Sequence, residues 1–285
     1  MTRAATSRQI AKALKTIADS SSGLSLNELR IVLALERAAA RLTNHKKLNE
    51  HLIFKGGFVL LKTTDTSRFT RDLDALAEGF NKADVSKLLP EALAVDLDDG
   101  LWYGAFEHED LVDQGEYGGI RSSCAFQIGD PPLNPNKIRK LSRIHIDVGF
   151  GDKITGVKRV TMHSILPQCI PISWRVYPIE YVFSEKLQTF FDRGSANSRA
   201  KDLYDLVLLF PKCESTSRLW KAIETTFAKR KTELPISLDE RANEVNTAIL
   251  ESAWKSVQTQ PEMQFKVIWR QFGRVLEDLE KVRPK

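Results

Sequence analysis

The sequence predicts an α/β (α+β) fold in which a small mixed sheet is followed by a helical C-terminal part. Three observations lead there. Short apolar or alternating runs at Leu52–Phe54, Arg71–Ala77 and Ser142–Phe150 have the period of strands. Stretches rich in Ala, Leu, Glu and Arg, with apolar residues at helical spacing, stand before and between them. Beyond Pro178 the pattern is almost wholly helical. We therefore expect an α/β domain with N-terminal helices over residues 1–178 and a helical domain over 179–285.

Taken in order, Arg8 to Asp19 is expected to be an amphipathic helix, with Ile10, Leu14 and Ile17 on one face. Ser20 to Gly23 breaks it, and Asn27 to Leu42 forms a longer helix. Leu52 to Phe54 reads as a short strand before Gly56-Gly57, and Phe58 to Lys62 as the start of a helix opened by those glycines. Arg71 to Ala77 alternates polar and apolar residues, as a strand does. Asp84 to Ala94 reads as a helix, and residues 101–128 as one or two hairpins. Asp130 to Asn136 is a proline-rich loop, and Ser142 to Phe150 a strand. Proline-punctuated segments run to Pro178. Helices are expected at Glu180–Phe191, Ala200–Phe210, Ser217–Lys231, Glu240–Ser256 and Met263–Val282.

Composition narrows the class. A chain of 285 residues that is 42% hydrophobic can bury a full core. No run approaches the length of a membrane span, and the N-terminus lacks the apolar stretch of a secretory signal. Three cysteines without CxxC spacing argue against a disulfide scaffold or a zinc site, and fit a reducing cytoplasm. Net charge is +5 but unevenly spread. Residues 72–116 hold thirteen acids against two lysines, whereas residues 132–160 hold seven basic residues against two acids. Residues 1–50 carry nine basic against four acidic, and residues 184–231 ten against six. An acidic centre with basic flanks suits an enzyme that holds metal ions and grips a polyanion. Ordinary variation among solvated helix faces is the plainer alternative.

The chemistry concentrates in three places. Gly56 and Gly57 allow backbone to close on a phosphate, because no Cβ blocks the approach. Asp72 and Asp74, at i and i+2 of an alternating strand, share a face. Asp147 stands between apolar neighbours on a later strand and, at a strand spacing of roughly 5 Å, can complete a carboxylate cluster. Such a cluster calls for divalent cations. Each element alone has a plain reading, as a turn or a solvated edge strand. In this order they point to nucleotide, magnesium and transfer chemistry. In the helical half, Lys186 precedes Asp202 by sixteen residues. Arg199, Asp202 and Asp205 recur at i+3, and Lys201 can pair with Asp205 at i+4. This is either a surface helix with ion pairs or a lysine aimed at an anionic phosphate tail.

The stretches KGGFVLLKTTDTSRFTRDLDAL, HIDVGFGD and EYVFSEKLQTFFDRGSANSRAKDLYDL resemble the AbiEii/AbiGii toxin family, within the DNA polymerase β-like nucleotidyltransferases. The resemblance covers roughly residues 52–210. It implies that Gly56 and Gly57 contact the nucleoside triphosphate and that Asp72 and Asp74 bind magnesium. Asp147 matches the third acid and metal ligand, Lys186 the lysine holding the phosphates, and Asp202 the acid of the terminal motif. Arg68 and Thr70 match the approach Arg-x-Ser-x-Asp and so join the nucleotide site, with threonine in place of serine. Lys201 stands where many members have arginine. By this resemblance the helical domain completes the active site.

The resemblance further implies a magnesium-dependent nucleotidyltransferase that uses two ions and transfers a nucleoside monophosphate from an NTP to an acceptor hydroxyl. It implies a cytoplasmic toxin that inhibits translation and growth, with an antitoxin encoded nearby. The resemblance points to RNA, at the 3′ end of tRNA, as acceptor, and the basic flanks favour a nucleic acid over a small neutral molecule. A protein or small-molecule hydroxyl is the alternative acceptor, and a catalytically inactive regulatory binding protein the alternative class. Intact Asp72, Asp74, Asp147 and Lys186 argue against the latter.

Overall fold

The computed structural model describes residues 3–20, 23–64, 69–111, 118–151, 154–257 and 263–284. The chain divides into two units, residues 1–177 and 178–285. Together they form a mixed α/β structure with a seven-stranded sheet in the first unit and helices throughout the second.

The first unit opens with α1 (Arg3–Asp19) and α2 (Leu26–Asn44). Ser25 sets the start of α2 through a capping box: its hydroxyl accepts from the Glu28 N–H, and its own N–H donates to the Glu28 carboxylate at 2.7 Å. Next come α3 (Lys46–His51), β1 (Leu52–Lys55), α4 (Gly56–Thr63), β2 (Asp72–Ala77) and α5 (Lys82–Leu93). The hairpin β3 (Leu101–Leu111) and β4 (Gly119–Ile128) follows, then α6 (Pro135–Ile138), β5 (Arg143–Phe150), β6 (Lys158–Met162) and β7 (Ile172–Val176).

The strand order is β3-β4-β5-β2-β1-β7-β6. β2 pairs with β5 in parallel and β1 with β7 in parallel, while the other neighbours are antiparallel. One face of the sheet is apolar. Leu73, Ala75, Ile120, Ile146 and Val148 point there and join a buried core with residues of α1, α2 and α5. Because side chains alternate, the intervening polar residues of the same strands share the opposite face. Asp99 ties α2 to the start of β3. It accepts from Arg37 at 2.7 Å and, bidentately, from Arg41 at 2.7 and 2.9 Å.

The second unit contains α7 (Ile179–Asp192), α8 (Ala200–Leu209), α9 (Thr216–Lys229), α10 (Leu238–Asn243), α11 (Thr247–Trp254) and α12 (Phe265–Lys281). Its core is rich in aromatic rings: Phe190 packs edge-on against Phe272 at 4.8 Å, and Trp220 donates its indole N–H to Leu279 O at 3.2 Å.

Three expectations change. The loop expected over Asp130–Asn136 gives way at Pro135 to the short helix α6, whose N-cap Asn134 accepts from the Asn136 N–H. The proline-punctuated stretch before Pro178, to which the sequence assigned no element, contains β6 and β7, an antiparallel pair at one edge of the sheet. The single helix expected over Glu240–Ser256 is two, because the Asn246 side chain accepts from the Ala248 N–H and starts α11 afresh. Among the described residues, no helix is long and apolar enough to cross a membrane.

Candidate active site

The polar face of the sheet is built around one cross-strand row. Lys55 on β1 pairs with Asp74 on β2, Asp74 with Asp147 on β5, Asp147 with Arg121 on β4, and Arg121 with Glu109 on β3. Directly paired residues project from the same face. The row therefore reads cation, acid, acid, cation, acid across five strands. Asp72, two residues before Asp74, lies on the same face and pairs with His145. The three acids singled out in the sequence are thus gathered on adjacent parallel strands.

Gly56 sits where β1 turns into α4, with φ +76°, in the left-handed region that L side chains rarely adopt. A Cβ at this position would lie 1.9 Å from Asp74 Oδ2 and 2.6 Å from its Cγ. The glycine thus leaves the space that the Asp74 carboxylate occupies. Gly57 follows in the first turn of α4, whose N-cap residue, Lys55, supplies no side-chain cap. The start of α4 thus presents backbone N–H groups and the positive end of the helix dipole beside Asp74. At the other end of α4, Lys62 donates to the fully buried Glu36 of α2 at 2.6 Å. Glu36 also accepts from the Ser164 hydroxyl at 2.6 Å and the Ile165 N–H at 3.1 Å. This satisfied carboxylate anchors α4.

Thr70 stands just before β2, and its hydroxyl accepts from the Asp72 N–H at 3.2 Å. It shapes the entry to the acidic strand. Arg68 lies outside the described residues.

Asp147 is 5% exposed and held by Arg121, which donates Nε to Oδ1 at 2.8 Å and Nη2 to Oδ2 at 2.7 Å. The bond to Asp147 raises the guanidinium above its ordinary value, with Asp72 and Glu109 adding to the effect. Among the described residues, no group of three or more His, Cys, Asp or Glu converges to hold a metal ion. The donor chemistry still fits magnesium. It takes hard oxygen ligands and is usually held by one or two carboxylates together with substrate phosphates. Asp72 and Asp74 supply such a pair.

The second unit has its own charged cluster. Lys186 of α7 reaches two acids of α8, Asp202 at 2.7 Å and Asp205 at 2.8 Å. Both acids are almost fully buried. Arg199 donates to the second oxygen of Asp202. Burial alone would raise the Asp202 carboxyl, but Lys186 and Arg199 outweigh it and hold the group well below the usual carboxylate range. The structure thus joins Lys186 to Asp202 and adds Asp205 as a second acceptor, where the sequence suggested Lys201 as the partner.

Arg121 escaped the sequence reading. The signal was an arginine alternating with small and apolar residues in Gly119-Ile-Arg-Ser-Ser-Cys-Ala, but only strand register brings it to Asp147.

The carboxylate face, the glycine-opened helix beside it and the mixed sheet agree with the nucleotidyltransferase class that the sequence resemblance implies. The sequence matches the family described as nucleotidyl transferase AbiEii toxin, type IV TA system, over residues 37–273. The chain belongs to this family, and is a nucleotidyltransferase toxin of a toxin–antitoxin system, which implies an antitoxin partner. Among solved structures it is similar in fold to JHP933 from Helicobacter pylori. The TM-score is 0.56 at 14% identity, covering 90% of this chain and 94% of that one. A second H. pylori protein, assigned as a nucleotidyltransferase, gives a TM-score of 0.53 at 15% identity, covering 92% and 100%. MenT4, a nucleotidyltransferase toxin from Mycobacterium tuberculosis, gives 0.49 at 16% identity, covering 95% and 99%. No curated protein matches the sequence.

Proposed function

We propose that the chain transfers a nucleoside monophosphate from an NTP to the 3′-terminal hydroxyl of tRNA, blocking translation, with two magnesium ions as cofactor. The observation that carries this reading is the pairing of Asp74 with Asp147 across parallel strands, with Asp72 on the same face and Gly56 opening α4 beside it. Asp72 and Asp74 would hold magnesium, with Asp147 as the third acid. Gly56 and Gly57 leave room for the triphosphate at the α4 N-terminus, where backbone N–H groups favour an anion. Thr70 and Arg68 belong to the approach to Asp72. Lys186 and Asp202 are assigned to the nucleotide's phosphates and to the terminal motif through the family resemblance. When bound, magnesium lowers the pKa of the attacking hydroxyl and neutralises charge on the leaving pyrophosphate.

RNA is favoured as acceptor because basic residues flank the acidic centre in the sequence, as backbone phosphates require. The test is incubation of the purified chain with each α-labelled NTP, total RNA and total protein. Label is expected in the tRNA fraction and lost with magnesium chelation or Asp72→Asn. Because Asp72→Asn opens no cavity, its stability should stay within about 1 kcal/mol of wild type. Label only in protein, with tRNA unmodified, would replace the RNA reading by transfer to a protein hydroxyl. Full activity of Asp72→Asn would overturn the assignment of the acidic face.

A further inference from the structure

The Arg121–Asp147 pair has no place in the reaction as described, yet it engages the most buried acid of the face. Both oxygens of Asp147 accept from one guanidinium, the strongest geometry available to an arginine and a carboxylate. An arginine cannot be switched off by deprotonation, so only a competing cation or a competing anion can separate the two. Each is at hand. On one side of Asp147 its strand partner is Asp74, an acid of the cation-binding face. On the other, Arg121 pairs with Glu109, whose Oε1 already lies 3.8 Å from Nη1. The Arg121 side chain is 32% exposed and Glu109 is exposed at 65%, so the guanidinium has a second acid to turn to.

We propose that Arg121 is a positioning residue that competes with the divalent cation for Asp147, acting as the built-in counter-ion of the acidic face until metal and nucleotide arrive. This rests on the reading of Asp72, Asp74 and Asp147 as the cation-binding face. Among the described residues no three-ligand cluster is preformed, and the third carboxylate is engaged by Arg121. Without Arg121, Asp72, Asp74 and Asp147 would repel one another across adjacent strands, and a divalent ion would relieve that repulsion. Arg121 therefore lowers affinity for free metal and holds the Asp147 carboxylate in one orientation.

The test is Mn2+ binding to the full chain, read by electron paramagnetic resonance, with the thermal midpoint followed as Mn2+ is added. Arg121→Gln should bind Mn2+ about tenfold more tightly than wild type, the scale of one charge-assisted pair. Its midpoint should fall without metal and recover as Mn2+ is added, more than wild type gains. Arg121→Lys, which keeps the charge but loses the fork, should lie between the two and guards against a folding defect in Arg121→Gln. In an Asp147→Asn background, Arg121→Gln should change Mn2+ affinity no further. Affinity in Arg121→Gln equal to or weaker than wild type, with lost stability that Mn2+ does not restore, would overturn the proposal. The underlying reading fails differently: Asp72→Asn would then bind Mn2+ as wild type does.

Discussion

The Asp74 carboxylate occupies the volume in which a side chain on Gly56 would have to begin, 1.9 Å from Oδ2 to the would-be Cβ. Position 56 is therefore constrained twice, by its φ of +76° and by the acid behind it. Gly56→Ala should lose transfer activity and about 2–4 kcal/mol of stability, combining left-handed strain with overpacking. Adding Asp74→Ala should return much of the stability by removing the clash, and none of the activity. Urea unfolding and the transfer assay on both variants check this. Wild-type activity in Gly56→Ala would refute the constraint.

The Lys186 cluster gives a different expectation, because its ammonium serves two buried acids at 2.7 and 2.8 Å. Lys186→Ala leaves Asp202 with Arg199 and takes from both buried acids the ammonium that reaches them at 2.7 and 2.8 Å. Breaking a buried pair on one side costs about 3–5 kcal/mol. The variant should therefore unfold earlier in denaturant, as well as binding NTP less tightly. Lys186→Arg, which keeps the charge, separates the two effects: stability should largely return. Unchanged stability in Lys186→Ala would show that the acids find other compensation.

Asp202 also makes stability depend on acid. Its folded carboxyl is held below the usual range: burial pushes it up, but Lys186 and Arg199 pull it down further. Below the unfolded value of about 3.9 the unfolded chain binds a proton that the folded chain refuses. Asp202 therefore stabilises the fold above pH ~4, and that contribution drains away as pH falls toward the depressed folded value. Asp202→Asn should be less stable than wild type at pH 6, with the gap narrowing as pH drops from ~4 to ~2. Denaturant midpoints across that range give the answer, and a gap that stays constant would remove Asp202 as the source.

How much could be read in the sequence depended on how local the signal was. Asp72 and Asp74 were legible because a period of two puts them on one face, and Gly56 because only a glycine suits such a turn. The parallel pairing that sets Asp74 beside Asp147 spans more than seventy residues and is fixed by the whole sheet. Arg121 was hidden for the same reason, its partner being set by register across the hairpin and β5. Local rules can also mislead. On α8, i+4 spacing pointed from Asp205 to Lys201, whereas α7 brings Lys186 against it. β6 and β7 were missed because each has only five residues, and charged Lys158, Arg159 and Arg175 obscure their alternation. Charge counts overstated the basic N-terminal segment too, since Arg37 and Arg41 are buried on Asp99 and cannot reach a polyanion.

With Arg37 and Arg41 buried on Asp99, fewer basic residues remain to meet an RNA backbone. If tRNA is the acceptor, phosphate contacts must come from basic residues that remain at the surface. Lys137, Arg139 and Lys140 qualify: all three are exposed, on and just after α6, and they lead directly into β5, the strand that carries Asp147. Each phosphate neutralised should steepen the loss of tRNA affinity with salt by about 0.7–0.9 decades per decade of salt. Replacing the three with alanine should weaken tRNA binding at low salt and flatten the salt slope by about two decades per decade if all three touch phosphate. Because none of them lies on the acidic face, Mn2+ binding should not change. Filter binding or fluorescence anisotropy with labelled tRNA from 50 to 300 mM salt (roughly the range in which counter-ion release is resolved) gives the slope directly. A triple variant with the wild-type slope would place the RNA elsewhere, and a wild-type slope near zero would argue against a polyanionic acceptor altogether.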